Sequence, residues 1–98
     1  MATTQNETII RRAIMAELRR AGWFTFYVYQ GLGSYKGISD LIALRDGKTA
    51  FIEVKTETGK QSPEQVQFQK DCEAHGGLYI LARSTDDVQE LLNSTPLF

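Results

Sequence analysis

Apolar positions recur along this chain with two different periods, and the switches between them divide it into elements. From residue 7 to 21 they fall at Ile10, Ile14, Leu18 and Ala21, the spacing of one helix face, while Arg11, Arg12, Arg19 and Arg20 lie mostly outside the centre of that stripe. Asn6 or Thr4 supplies the cap and Gly22 the stop. Trp23 to Tyr29 then alternates by two, Phe24, Phe26 and Val28 against Thr25, Tyr27 and Tyr29, which predicts a strand. Two more strand-like runs, Leu41 to Leu44 and Phe51 to Lys55, flank Asp46-Gly47, a dipeptide suited to a tight hairpin. Ser62-Pro63-Glu64-Gln65 joins a cap, a first-turn proline and polar first-turn residues, so a second helix is expected to run to about His75, before Gly76-Gly77. Leu78 to Ala82 reads as a buried strand, returned by that helix as a parallel neighbour. Ser84 and Asp87 suggest a capping box for a last short helix with Val88, Leu91 and Leu92 on its apolar face, and the tail from Asn93 is expected to fray.

The order αβββαβα predicts an α/β fold: a mixed central sheet flanked by helices, with a short extra helix at the C-terminus. At 98 residues the chain is read as a single domain, residues 1–98. Apolar residues at 42 % and charged ones at 23 % are ordinary for a water-soluble protein. No apolar run approaches the ~18 residues of a membrane span. The N-terminal segment shows no secretory pattern, and Cys72 has no cysteine partner, so a reducing, cytoplasmic setting is expected. One histidine and one cysteine argue against a zinc site built on those ligands. A net charge of −1 argues against nucleic-acid binding driven by bulk charge, while leaving room for local basic clusters or bound cations.

Candidate chemistry sits in the hairpin. Glu53 and Lys55 share one face of their strand, with Val54 between them on the other. Antiparallel pairing brings the start of the first hairpin strand, Asp40, beside the end of the second. Two carboxylates and an amine then converge at one sheet end. Glu-x-Lys is common on solvated strands, but Phe51, Ile52 and Val54 make this strand central, where charge is costly unless it serves something. Glu7 shares the apolar stripe of the first helix, and it equally suits the dipole of a first turn. Gln65 faces inward with Phe68 and Cys72, so it either caps its helix or meets a charged group. The glycine-rich segment Gly31 to Gly37, with Tyr35 and Lys36, reads as a surface loop next to Asp40, either a connector or a substrate contact. The aromatic surplus at Trp23, Tyr27 and Tyr29 is either core or a partner surface.

A hard divalent cation such as magnesium is held by one or two carboxylates together with substrate phosphates, which suits Asp40 and Glu53. Such a cation polarises a phosphodiester and lowers the pKa of bound water, and Lys55 can position or deprotonate that water. These residues carry a resemblance. Asp40, then Glu53-Val54-Lys55 thirteen positions on, the preceding α-β segment and Ser62-Pro63-Glu64-Gln65 are similar to the virus-type replication-repair nuclease (VRR-NUC) branch of the PD-(D/E)xK nuclease superfamily, over roughly Glu7 to Leu81. The resemblance implies a restriction-endonuclease-like αβββαβ core and a metal-dependent DNA endonuclease using Mg2+ or Mn2+. Asp40, Glu53, Lys55 and Gln65 are then catalytic, and Asp40, Glu53, the Val54 carbonyl and Glu7 hold the metal. Glu17 also lies in the inward arc of the first helix, but the match near the helix start favours Glu7. Stand-alone members of this branch are phage or bacterial homodimers acting on branched DNA such as Holliday junctions. Ser39 departs from the family proline before the aspartate, which alters the turn into the strand and removes no ligand. The competing reading from another class is a non-catalytic nucleic-acid-binding or assembly module on the same fold.

Overall fold

Helix α1, Glu7–Arg20, begins where Asn6 accepts the Ile9 N–H on its side-chain oxygen at 2.9 Å. A computed structural model of the protein describes residues 6–93, so the alternative cap Thr4 and the tail beyond Asn93 lie outside the described residues. Strand β1 is shorter than its alternation suggests, Phe24–Tyr27, and is followed by β2, Leu41–Arg45, and β3, Lys48–Val54. Asp46 and Gly47 join β2 to β3 with φ of 52° and 78°, the paired positive values that a tight hairpin turn requires and that Asp-Gly tolerates. Helix α2, Pro63–Ala74, carries the chain back to β4, Leu78–Ala82. The sheet order is β1-β2-β3-β4, antiparallel through β3 and parallel between β3 and β4, as the helical crossover demands.

One face of the sheet presents Leu41, Ala43, Ala50, Ile52, Val54, Ile80 and Ala82 to Ile10, Ile14, Met15 and Leu18 of α1, and Trp23, Val88 and Leu91 close the same core. Each fully buried aliphatic side chain there contributes about 1.5–3 kcal/mol, so the docking of α1 is the main source of stability. Met15 joins the stripe beside Ile14 although it was not expected on it. Trp23 lies before β1 and inside this core, its indole N–H donating to the Leu91 carbonyl at 3.1 Å, which removes it from any partner surface. β1 turns Thr25 to the core and leaves Phe24 and Phe26 at 65 % and 36 % exposed.

The opposite face is covered by α2 only over β3 and β4. Phe68 packs against Phe51 and Tyr79 with ring centroids 5.5 and 6.1 Å apart, and Tyr35 meets it at 6.0 Å. No residue of α2 is fully buried. After β4 the expected Ser84/Asp87 capping box does not form. A 3-10 turn, Thr85–Val88, closes the Asp87 N–H onto the Ser84 carbonyl, so the Ser84 hydroxyl accepts from Asp86 instead and the Asp87 carboxylate accepts the Arg83 N–H. Helix α3, Gln89–Leu92, then packs Leu91 into the core. Among the described residues no helix is long and apolar enough to cross a membrane.

The loop between β1 and β2 is pinned at both ends. The Gln30 amide donates to the carbonyls of Ile38 and Ser39, at 3.0 and 3.1 Å. Gly37, at φ +82°, lies so close to the first turn of α2 that a Cβ there would run into the Glu64 backbone. Gly37→Ala is therefore expected to lower stability by more than the ~1–2 kcal/mol of a left-handed alanine. Gly33→Ala, at φ +92° in open space, is expected to lose only that conformational part. Thermal denaturation of the two variants side by side checks the difference.

Candidate functional site

The hairpin register pairs Leu41 with Ile52, so one step further Asp40 stands opposite Glu53, beyond the end of β2. There the Val54 N–H has no strand carbonyl to meet, and Asp40 Oδ2 accepts it at 2.8 Å. The carboxylate thus completes the ladder where β2 has ended. Asp40 is itself held by its neighbours: its carbonyl accepts the Val28 N–H at 2.9 Å, and the buried Ser39 hydroxyl donates to the Leu41 carbonyl at 3.0 Å. Ser39 therefore satisfies its own polar group while shaping the turn.

Glu53 is 1 % exposed. Its Oε1 accepts from the Gln65 amide at 2.9 Å and lies 4.0 Å from Lys55 Nζ, whereas Oε2 is buried without a hydrogen-bond partner. Burial pushes its pKa from the ordinary 4.5 up to about 8, and the adjacent Asp40 charge adds to the rise. With both carboxylates ionised neither has a proton to give; a proton on Glu53 bridges to Asp40 and is retained for that reason as well. The Lys55 charge opposes the shift, and Glu7 adds a smaller rise.

Gln65 meets both expectations held for it. Its Oε1 accepts the Ser62 N–H at 2.8 Å while the Ser62 hydroxyl accepts the Gln65 N–H, a complete capping box, and its Nε2 is left to hold Glu53. Helix initiation and carboxylate orientation thus rest on one side chain. Lys55 follows β3, its N–H donating to the Ala82 carbonyl at 3.0 Å and its side chain only 13 % exposed. Glu7, half-buried at the start of α1, is close enough for its charge to be felt at Glu53. Glu17 is paired instead with Arg20 at 2.7 Å.

One residue at the site was not anticipated. Arg11 reaches within 4.0 Å of Asp40 Oδ1, its guanidinium 5.5 Å over the Tyr27 ring. The available signal was its position one helical turn after Glu7, which puts the two on the same side of α1.

Among the described residues no group of three or more histidine, cysteine, aspartate or glutamate side chains is placed to hold a metal ion. What the chain does supply is a pair of converging carboxylates, one with a buried oxygen lacking any donor. That donor set fits a hard divalent cation whose remaining ligands are main-chain oxygen, water and substrate oxygen.

A profile of the VRR-NUC domain matches residues 2–86, a span that includes α1, all four strands, α2 and every residue of this site. The sequence matches no curated protein. The structure is similar to a solved VRR_NUC domain, with a TM-score of 0.74 and 23 % identity over 88 % of this chain and 92 % of that one, which is agreement in fold. On the strength of the sequence match, the chain belongs to the VRR-NUC family of nuclease-type domains.

Proposed function

We propose that the protein is a divalent-metal-dependent, structure-selective DNA endonuclease that hydrolyses phosphodiester bonds, acting on branched DNA such as Holliday junctions. The observation that carries this reading is the buried, partnerless oxygen of Glu53 beside Asp40, a pair that concentrates negative charge where a cation relieves it. Asp40 and Glu53 would hold Mg2+ or Mn2+, with the Val54 carbonyl as a further ligand and Glu7 as an outer acid. When bound, such an ion supplies charge for the developing phosphorane-like transition state and acidifies water. Gln65 fixes the rotamer of Glu53 through its 2.9 Å hydrogen bond, so the carboxylate need not reorganise during the reaction. Lys55, 4.0 Å from Glu53, brings an ammonium to the same point, where it orients the attacking water and offsets charge on the scissile phosphate.

Homodimerisation belongs to the same proposal. The half of the sheet that α2 leaves uncovered carries Phe24 and Phe26, their rings 5.3 Å apart, beside the half-buried partners Leu44 and Ile42. An apolar surface of this kind on a central sheet is what a two-fold interface covers.

The expected outcomes are specific. With magnesium or manganese the protein cuts a four-way junction, and Asp40→Asn or Lys55→Ala slows cutting by at least about a hundredfold while thermal unfolding stays cooperative. Persistent cutting by both folded variants would sink the assignment, and absence of metal binding in calorimetry, even with uncleavable DNA present, favours the binding module. A second readout uses no activity. Because Glu53 binds its proton more tightly folded than unfolded, the metal-free protein is expected to lose stability as pH rises from 4.5 to about 8, and Glu53→Gln to flatten that decline. Magnesium needs the ionised form, so it should raise Tm more at the top of that window than at the bottom. Melting curves across pH with and without metal check the sign. For the dimer, sedimentation velocity should show one two-chain species that Phe24→Asp converts to a monomer; a monomeric parent protein would remove the dimer from the proposal.

A further inference from the structure

A cleft of about 500 Å3 opens beside Asp40, walled by Thr8, Arg11 and Arg12 from the first turns of α1 and by Tyr27, Tyr29 and Gln30 where β1 ends. Its cations and its rings are supported in different ways. Arg11 is held between the Tyr27 ring and Asp40 Oδ1, so one guanidinium is fixed next to the candidate centre. Arg12 lines the same cleft from the exposed side of the helix. Tyr29 is 81 % exposed, yet its ring is not adrift: it lies directly against the backbone of Gly31, so closely that a Cβ on Gly31 would run into it. The Gln30 amide, next in sequence, is tied to two carbonyls of the following loop. An aromatic surface is thus presented on a fixed support, at the mouth of a cationic cleft, a few residues from the candidate centre.

Guanidinium groups read backbone phosphates, and an open aromatic ring reads the face of a base. Inside a duplex both faces of every base are already stacked, so only an unpaired or terminal base can use such a ring. We propose that this cleft is a subsite for a DNA strand leaving the duplex, with Arg11 and Arg12 taking a backbone phosphate next to the scissile one and Tyr29 stacking on the unpaired base beyond it. The assignment rests on the nuclease reading above and gives it a source of preference for branched or frayed DNA. Arg11 and Tyr29 are here binding residues, whose removal weakens the grip on one strand.

The test is fluorescence anisotropy in chelator, where nothing is cut, with the intact chain and two labelled DNAs: a blunt duplex and the same duplex extended by a single-stranded arm. The arm-bearing DNA should bind more tightly. Tyr29→Ala should weaken it about tenfold, leave the blunt duplex within about twofold, and be rescued by Tyr29→Phe. Arg12→Gln should reduce the slope of log K against log salt by about one on both DNAs. For Tyr29→Ala, equal losses on the two DNAs, or unchanged affinity for the arm in a protein that melts normally, would overturn the subsite even if Asp40→Asn still abolishes cutting. Failure of the parent protein to bind or cut any DNA would overturn the nuclease reading and the subsite together.

Discussion

The buried carboxylate of Glu53 is the constraint around which the rest of the structure is arranged. Ile52 and Val54 must face α1 to complete the core, and the two-residue period of β3 then sends Glu53 to the other face. β2 and β4 flank that strand on either side, so the carboxylate has little access to water. Taking an ionised carboxylate out of water costs several kcal/mol even after relaxation. Against this the chain sets one amide hydrogen bond from Gln65 and one ammonium at 4.0 Å, while the like charge of Asp40 adds to the cost. The balance is unfavourable for the ionised form, as the rise to about 8 records. Thr25 Oγ1 is also buried without a partner, but Glu53 is the group that carries a charge, and the proposed chemistry rests on it.

The two long helices divide the work. α1 buries Ile10, Ile14, Met15 and Leu18 and anchors the sheet, while its first turns bring Glu7 and Arg11 to the sheet end where Asp40 lies. α2 buries no residue completely and is held by the Phe51, Phe68 and Tyr79 rings, by its capping box and by the close approach of Gly37 to Glu64. Its contribution is positional: the side chain that starts the helix also grips Glu53. The β1–β2 loop is tied to both sides of this arrangement, through Gln30 to the residues leading into Asp40 and through Gly37 to α2.

The uneven coverage of the sheet follows from the same economy of chain. A four-stranded sheet has two faces, and α1 with the C-terminal turns covers one. The single crossover helix reaches only β3 and β4 on the other, which leaves the phenylalanines of β1 in the open. The proposed dimer rests on that exposed apolar face.

Local periodicity determined a great deal of this protein. The helical stripe of α1, the Asp-Gly turn, the capping signature before α2 and the apolar run of β4 are each properties of a few neighbouring residues, and they fold as those residues dictate. The two-residue turn even set the register that places Asp40 opposite Glu53, because counting back from Asp46-Gly47 admits one pairing. Periodicity names the face a residue occupies, however, and not what stands opposite. Whether Trp23 belonged to the core or to a surface depended on Leu91, 68 residues away. Whether Gln65 capped its helix or met a charge depended on a carboxylate in another element, and the answer was both. Periodicity placed Arg11 outside the centre of the helical stripe, and its position beside Asp40 and over the Tyr27 ring depended on where β1 and the start of β2 fall. These were decided by long-range packing, since the energy of a polar group is set by the partner that the tertiary fold delivers to it.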